Sequence, residues 1–229
     1  MIVFLGGLPR TGSTLLSALL NQNPLIHSEG SSGLCQLMWD THVSCAVNAR
    51  EQLTATGRAN VEGRLLGGMA AAYYADVTRP VIVDKCRTWP LPANMRLIRE
   101  HITGTPKVIV LTRPVQEVVE SFIRLRRAAG WEGDIESDLW VNPEPLVRAV
   151  EATGWALTGD PTIFHHVTYE HLISDPAGTL AGVYEFMGWE PYKHTFTNIV
   201  HPHPEDDTAH GLPLHTIRST ISRRDYAVP

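Results

Sequence analysis

The sequence is poor in cysteine, in long apolar stretches and in positive charge. Its three cysteines, Cys35, Cys45 and Cys86, are an odd number with no close pair along the chain, which favours a reducing compartment over a disulfide-stapled secreted domain. No segment approaches the ~18 apolar residues of a membrane span, and the opening run MIVFLGG is too short for a signal peptide. We therefore expect a cytoplasmic protein without a membrane span.

Excess positive charge is also missing, since 19 basic residues face 24 acidic ones and the net charge is -5. A broad positive surface is what attracts nucleic acids and anionic lipids. We expect no nucleic-acid partner, and any anion site must be built locally.

With 229 residues and 43% hydrophobic content, the chain can bury one sizeable core, which predicts a single domain over residues 1–229.

Apolar runs bounded by turns alternate with helical periodicities. Residues 2–5 predict a buried strand stopped by Gly6 and Gly7, and a helix is predicted over residues 13–22. Further strands are predicted at 81–83, 108–111 and 163–167, and further helices from Pro114 onward and from Glu170 or Pro176 to Met187. Residues 30–78 and 127–160 show no dominant period.

Strands separated by helices indicate parallel pairing with right-handed crossovers. The sequence therefore predicts an α/β chain with a three-layer α/β/α, P-loop NTPase-like fold and a central parallel sheet. Ligands of such sheets bind at the carboxyl ends of the strands. The loops after Leu5, Val83 and Leu111 should share one crevice.

The glycine loop, GLPRTGST at residues 7–14, joins the first strand to the first helix. Glycines permit a sharp turn, and the helix amides and macrodipole beyond them favour an anion. Ser13 stands where the triphosphate-binding version of such a loop has a lysine, and Arg10 lies inside the loop. This exchange indicates a different terminal group, and a sulfonate would fit.

The run Leu8 to Leu15 resembles the 5'-phosphosulfate loop of sulfotransferases that use 3'-phosphoadenosine 5'-phosphosulfate (PAPS). It is most similar to the arginine-loop branch, typified by protein-tyrosine sulfotransferases and related bacterial and phage sulfotransferases. VIVLTRPVQEVVESFIRL, residues 108–125, resembles the second family motif, in which Arg113 and Ser121 would hold the 3'-phosphate. The resemblance implies that PAPS is bound by the loop residues Pro9, Arg10, Thr11, Gly12, Ser13 and Thr14.

The same resemblance implies roles for four more residues. Lys85 would contact the transferred sulfonate, where a fixed positive charge stabilises the transition state. Glu29 would be the general base, although an ordinary loop glutamate is the alternative. Tyr169 would border the nucleotide, and Arg218 would contact a phosphate.

The resemblance thus implies a sulfotransferase that moves the sulfonate group of PAPS to a hydroxyl or amine of an unknown acceptor and needs no metal. One alternative is a P-loop kinase in which Asp84, after the middle strand, helps to hold magnesium. Another is a nucleotide-binding module of the same fold without turnover. A group of histidines and acidic residues matches no metal-ligand spacing and predicts a mobile polar loop: His201, His203, His210, Glu205, Asp206 and Asp207.

Overall fold

A computed structural model describes residues 1–210 and 219–221 of the chain. Its centre is one sheet of five parallel strands in the order β2-β3-β1-β4-β5. The strands are β1 (Ile2–Gly7), β2 (Ile26–Ser28), β3 (Val81–Lys85), β4 (Val108–Thr112) and β5 (Phe164–Thr168). The α/β class and the central parallel sheet predicted from the sequence are confirmed.

Helices connect successive strands and follow the last one. They are α1 (Ser13–Leu20), α2 (Leu34–Val43), α3 (Arg50–Ala55), α4 (Val61–Tyr73), α5 (Pro92–His101), α6 (Val115–Ala128), α7 (Ile135–Val141), α8 (Arg148–Leu157), α9 (Tyr169–Ser174) and α10 (Pro176–Met187). A short π-helical turn at Ser44–Asn48 joins α2 to α3, and the segment Pro143–Val147, in which Glu144 is extended, joins α7 to α8. No helix in the described part of the chain is long and apolar enough to cross a membrane.

The sheet is covered on both faces because its side chains alternate between them. In β1, Val3 and Leu5 pack into one core with α1 and α10, whereas Phe4 packs into a second core with α2, α4, α5 and α8. In β4, Ile109 and Leu111 face the first core and Val108 and Val110 the second. These two cores make the three layers and hold the carboxyl ends of the strands at one edge.

The strand and helix positions differ from the predictions mainly in their bounds. The predicted helix over 13–22 ends at Leu20, and the stretch expected between Glu170 and Met187 is two helices, α9 and α10. Strand β2 was not predicted, because three residues are too few to show an alternating pattern. The segments without a dominant period hold α2, α3, α4, α7 and α8.

Candidate functional site

The glycine loop follows the central strand and turns directly into α1. Gly7 has a φ of 111°, and a Cβ atom there would lie 2.1 Å from the carbonyl oxygen of Leu111. Gly12, the residue before α1, has a φ of 81°. Both conformations favour glycine. The loop therefore delivers the free amides at the start of α1 to the carboxyl edge of the sheet, which suits an anion.

Two of the loop residues that were predicted to bind PAPS are buried. Pro9 is buried, and the fully buried Thr11 donates its hydroxyl to the carbonyl oxygen of Leu8 at 2.7 Å. Ser13 and Thr14 lie partly exposed in the first turn of α1. The Thr11 hydroxyl thus holds the loop in shape, and the side chains of Ser13 and Thr14 stay nearer the surface.

Arg10 joins the glycine loop to the second predicted motif. Its Nε donates to the Oγ of Ser121 in α6 at 3.2 Å, and its carbonyl oxygen accepts a hydrogen bond from Nη1 of Arg113 at 3.2 Å. Arg10 and Ser121 are far apart in the sequence, yet the parallel pairing of β1 with β4 brings them together. The structure therefore places the two motifs at one site.

Arg113 lies just beyond β4 and is only 7% exposed. Its Nε donates to Glu117 Oε2 at 2.8 Å, and its guanidinium carbon lies 4.3 Å from the centre of the Tyr169 ring. Burial with a carboxylate and an aromatic face fixes the guanidinium in place. These residues line an open cleft of about 350 Å³ with Thr112, Pro114, Thr168 and Glu170.

Lys85 occupies the last position of β3, beside the end of β1. It is 8% exposed. Its Nζ donates to the carbonyl oxygen of Gly30 and lies 4.0 Å from Oε2 of Glu205. A buried ammonium group is thus held between the loop after β2 and the segment near Glu205.

Glu29 directly follows β2, at the same carboxyl edge of the sheet as Lys85. Its Oε1 lies 2.9 Å from Nε2 of His27, and the His27 ring packs against that of His203 at 4.6 Å between centroids. The Glu29 side chain remains 31% exposed. The structure thus shows a partly exposed carboxylate fixed by a buried imidazole.

Residues 199–206 form a wall of this site that the sequence did not reveal. The Gly30 amide donates to the His203 carbonyl oxygen at 3.0 Å, and a Cβ atom on Gly30 would lie 2.5 Å from the Glu205 amide nitrogen. His201 is buried, and burial together with the positive charge of Lys85 lowers its pKa to about 4. The segment expected to be a polar loop is therefore packed against Lys85. Its only sign in the sequence is Gly30, whose missing side chain leaves room for this segment.

Asp84, which the kinase alternative assigns to magnesium, is fully buried. Oδ1 accepts from Trp89 Nε1 at 2.6 Å, and Oδ2 accepts from the hydroxyls of Ser32 and Tyr74, each at 2.7 Å. Burial raises the pKa of this carboxyl group. Both carboxylate oxygens already accept hydrogen bonds from side chains packed beside β3, so the geometry disfavours a magnesium role for Asp84.

Arg218, which was predicted to contact a phosphate, lies outside the described residues.

Comparisons with known proteins bear on the family and the fold. A family model described as "Sulfotransferase family" matches residues 3–194. No curated protein matches the chain. The structure is similar to the "Sulfotransferase Domain from the Curacin Biosynthetic Pathway", with 20% identity, a TM-score of 0.54, and coverage of 84% of this chain and 75% of that one.

Two other solved structures have the same arrangement. The sulfotransferase domain of the Synechococcus PCC 7002 olefin synthase is 20% identical, with a TM-score of 0.56 and coverage of 84% of this chain and 74% of that one. A sulfotransferase from Alicyclobacillus acidocaldarius is 13% identical, with a TM-score of 0.54 and coverage of 82% and 81%. At these identities the likeness shows the fold alone.

Proposed function

The chain belongs to the sulfotransferase family, and on this premise we propose that it transfers the sulfonate group of PAPS to a hydroxyl or amine of an acceptor. PAPS, when bound, supplies the sulfonate and a 3',5'-bisphosphate leaving group. Arg10 in the glycine loop supports placing the chain in the arginine-loop branch. The residues of the site fit a doubly phosphorylated nucleotide, because a helix start and two arginines converge there.

Contact between the two motifs is the observation that carries the proposal. The Arg10 side chain reaches Ser121, and Arg113 donates to the Arg10 backbone. In our proposal the glycine-loop amides and Arg10 bind the 5' end of the donor. Arg113 and Ser121 bind its 3'-phosphate, and the adjoining Tyr169 packs beside the nucleotide.

Charge stabilisation falls to Arg10 and Lys85 in this scheme. In this scheme the buried Lys85 ammonium group on β3 offsets negative charge on the sulfonate. In-line transfer also requires the acceptor oxygen or nitrogen to lose a proton. We assign that proton to Glu29, whose carboxylate His27 holds in place.

Ligand titration of an arginine variant tests the donor site. We expect the wild type to bind adenosine 3',5'-bisphosphate without magnesium and Arg113→Ala to bind it roughly 10- to 100-fold more weakly, since hydrogen bonds to charged groups contribute ~1.5–3 kcal/mol. Isothermal titration calorimetry measures both affinities. Arg99→Ala is the matched control, because it removes an exposed arginine from the far end of α5.

The same titration separates the alternatives. Preference of the wild type for ATP with magnesium would contradict the sulfotransferase proposal and favour the kinase. Bisphosphate binding that is lost in Arg113→Ala and kept in Arg99→Ala supports the donor site. A screen with ³⁵S-labelled PAPS and panels of phenols, sugars, lipids, amines and peptides then distinguishes an active enzyme from a module that only binds nucleotide.

A further inference from the structure

Two cysteines that are distant in the sequence meet beside the candidate sulfonate site. Cys86 Sγ lies 3.3 Å from the hydroxyl oxygen of Thr88, and Cys35 Sγ lies 3.8 Å from the same atom. Both thiols therefore lie against one hydroxyl group. The first turn of α2 and the turn after β3 therefore bring two thiols to Thr88, which no spacing along the chain reveals.

The two thiols differ in environment. Cys35 is buried, whereas Cys86 is partly exposed. Interaction with the Cys35 thiol, helped by Thr88, lowers the pKa of Cys86 to about 7, although burial opposes the shift. The pKa of Cys35 is raised well above its usual value by its interaction with the Cys86 thiol and by burial. Because the thiolate is the nucleophile, Cys86 should react first with a disulfide, and Cys35 should react second, with the mixed disulfide on Cys86.

We propose that Cys35 and Cys86 form a thiol modification site that small disulfides, such as glutathione disulfide, oxidise to an intramolecular disulfide. The Cys86 thiolate attacks one sulfur of glutathione disulfide and releases one glutathione thiolate, leaving a mixed disulfide. Cys35 loses its proton, attacks the Cys86 sulfur and releases the second glutathione. Two protein thiols are oxidised, and one glutathione disulfide is reduced to two glutathione molecules.

The position of the pair links it to the candidate site. Cys86 follows Lys85 directly, and the Lys85 carbonyl oxygen accepts a hydrogen bond from the Ser32 amide at 2.9 Å. Cys35 lies in the first turn of α2, shortly after Ser32. A disulfide would tie α2 to the residue next to Lys85. The oxidation itself does not depend on the proposed sulfonate transfer.

Intact-mass spectrometry after incubation of the folded protein with glutathione disulfide tests the proposal. The incubations use Cys45→Ser, so that the third cysteine cannot react. We expect this protein to lose the mass of two hydrogen atoms. With Cys35→Ser added, the mixed disulfide should persist as one glutathione adduct on Cys86. With Cys86→Ser added instead, the mass should stay unchanged, because Cys35 is buried.

The outcomes separate cleanly. A persistent glutathione adduct on the Cys45→Ser protein, or no reaction of that protein, would overturn the proposal. This protein keeps both Cys35 and Cys86, so neither result can be caused by a substitution at those positions. Loss of two hydrogen atoms with a tryptic peptide pair joining Cys35 to Cys86 supports it. The reaction rate of Cys86 should level off above about pH 7, whereas that of an ordinary cysteine rises to about pH 8.5.

Discussion

At the scale of single residues, Arg10 does the most to assemble the candidate site. It has a φ of 61°, which is unusual for a residue with a side chain. This conformation coincides with two contacts: its carbonyl oxygen accepts from Arg113, and its Nε donates to Ser121. One residue thus couples the geometry of the glycine loop to that of α6, so a substitution in α6 should alter the geometry of the loop.

Removal of the Ser121 hydroxyl tests this coupling. Ser121 is 6% exposed and accepts a hydrogen bond from a charged side chain. We expect Ser121→Ala to weaken adenosine 3',5'-bisphosphate binding roughly 10-fold, because such bonds contribute ~1.5–3 kcal/mol. Calorimetry measures the affinity. Ser174→Ala is the control, since it removes an exposed hydroxyl that bonds only within α9. Equal affinities of the two variants would refute the coupling.

At the scale of elements, the unit made of β1, the glycine loop and α1 is held against β4. The Leu8 amide donates to the Leu111 carbonyl oxygen at 3.0 Å. Gly7 allows this approach because it has no Cβ atom to meet the Leu111 backbone. The start of the loop therefore has one permitted path, which sets where the first amides of α1 point.

A pair of glycine substitutions tests whether this path is required. Gly7→Ala combines a φ of 111° with a backbone clash, so we expect it to lower the free energy of unfolding by at least ~2 kcal/mol. Gly68→Ala is the contrasting variant. Gly68 lies exposed inside α4, with open space around it, so alanine there should raise stability by roughly 0.5–1 kcal/mol.

Urea unfolding at pH 7 measures both variants against the wild type. A Gly7→Ala protein as stable as the wild type would mean that the backbone around Leu111 can move away. The path of the glycine loop would then not be fixed by Gly7.

At the scale of the whole molecule, burial leaves several histidines poorly suited to carry charge. The pKa is lowered, chiefly by burial, for His165, His166, His194, His201 and His203. A histidine with a lowered pKa takes up its proton more readily in the unfolded chain. Folding stability should therefore decline as the pH falls below the ordinary histidine pKa of 6.5.

His201 should account for much of that decline, because its pKa is about 4. Between pH 6.5 and about 4 the unfolded chain binds the proton and the folded protein does not, so acid favours unfolding. We expect His201→Gln to flatten the loss of stability across this window by at most about 3 kcal/mol. Urea unfolding at several pH values measures the slope.

The control for this experiment is His171→Gln, which changes an exposed histidine on α9. If His201→Gln kept the wild-type slope, then residues 199–206 would open early in acid and expose His201 to water.

The expectation of one domain over residues 1–229 stays a prediction, and a single coincident transition in these unfolding curves would support it.

Much of the fold was open to prediction because local patterns carry it. The runs at Val108–Leu111 and Val81–Val83 are apolar on both faces, which is typical of central parallel strands, and the glycine loop marks the first strand-to-helix turn. Strand β2 and the helices between residues 30 and 78 were missed. Three residues are too few to show a period, and α4 exposes much of its surface, so its apolar stripe is narrow.

The sequence by itself determined strands β1, β3, β4 and β5, the glycine loop and the resemblance of two motifs to the sulfotransferase family, because these depend on neighbours along the chain. Only the tertiary structure decided which distant groups meet. Parallel pairing of β1 with β4 joins Arg10 to Ser121, and the first turn of α2 meets the turn after β3 where Cys35 and Cys86 both contact Thr88. The absent side chain of Gly30 admits residues 199–206 beside Lys85. Such contacts follow from packing, which no local pattern encodes.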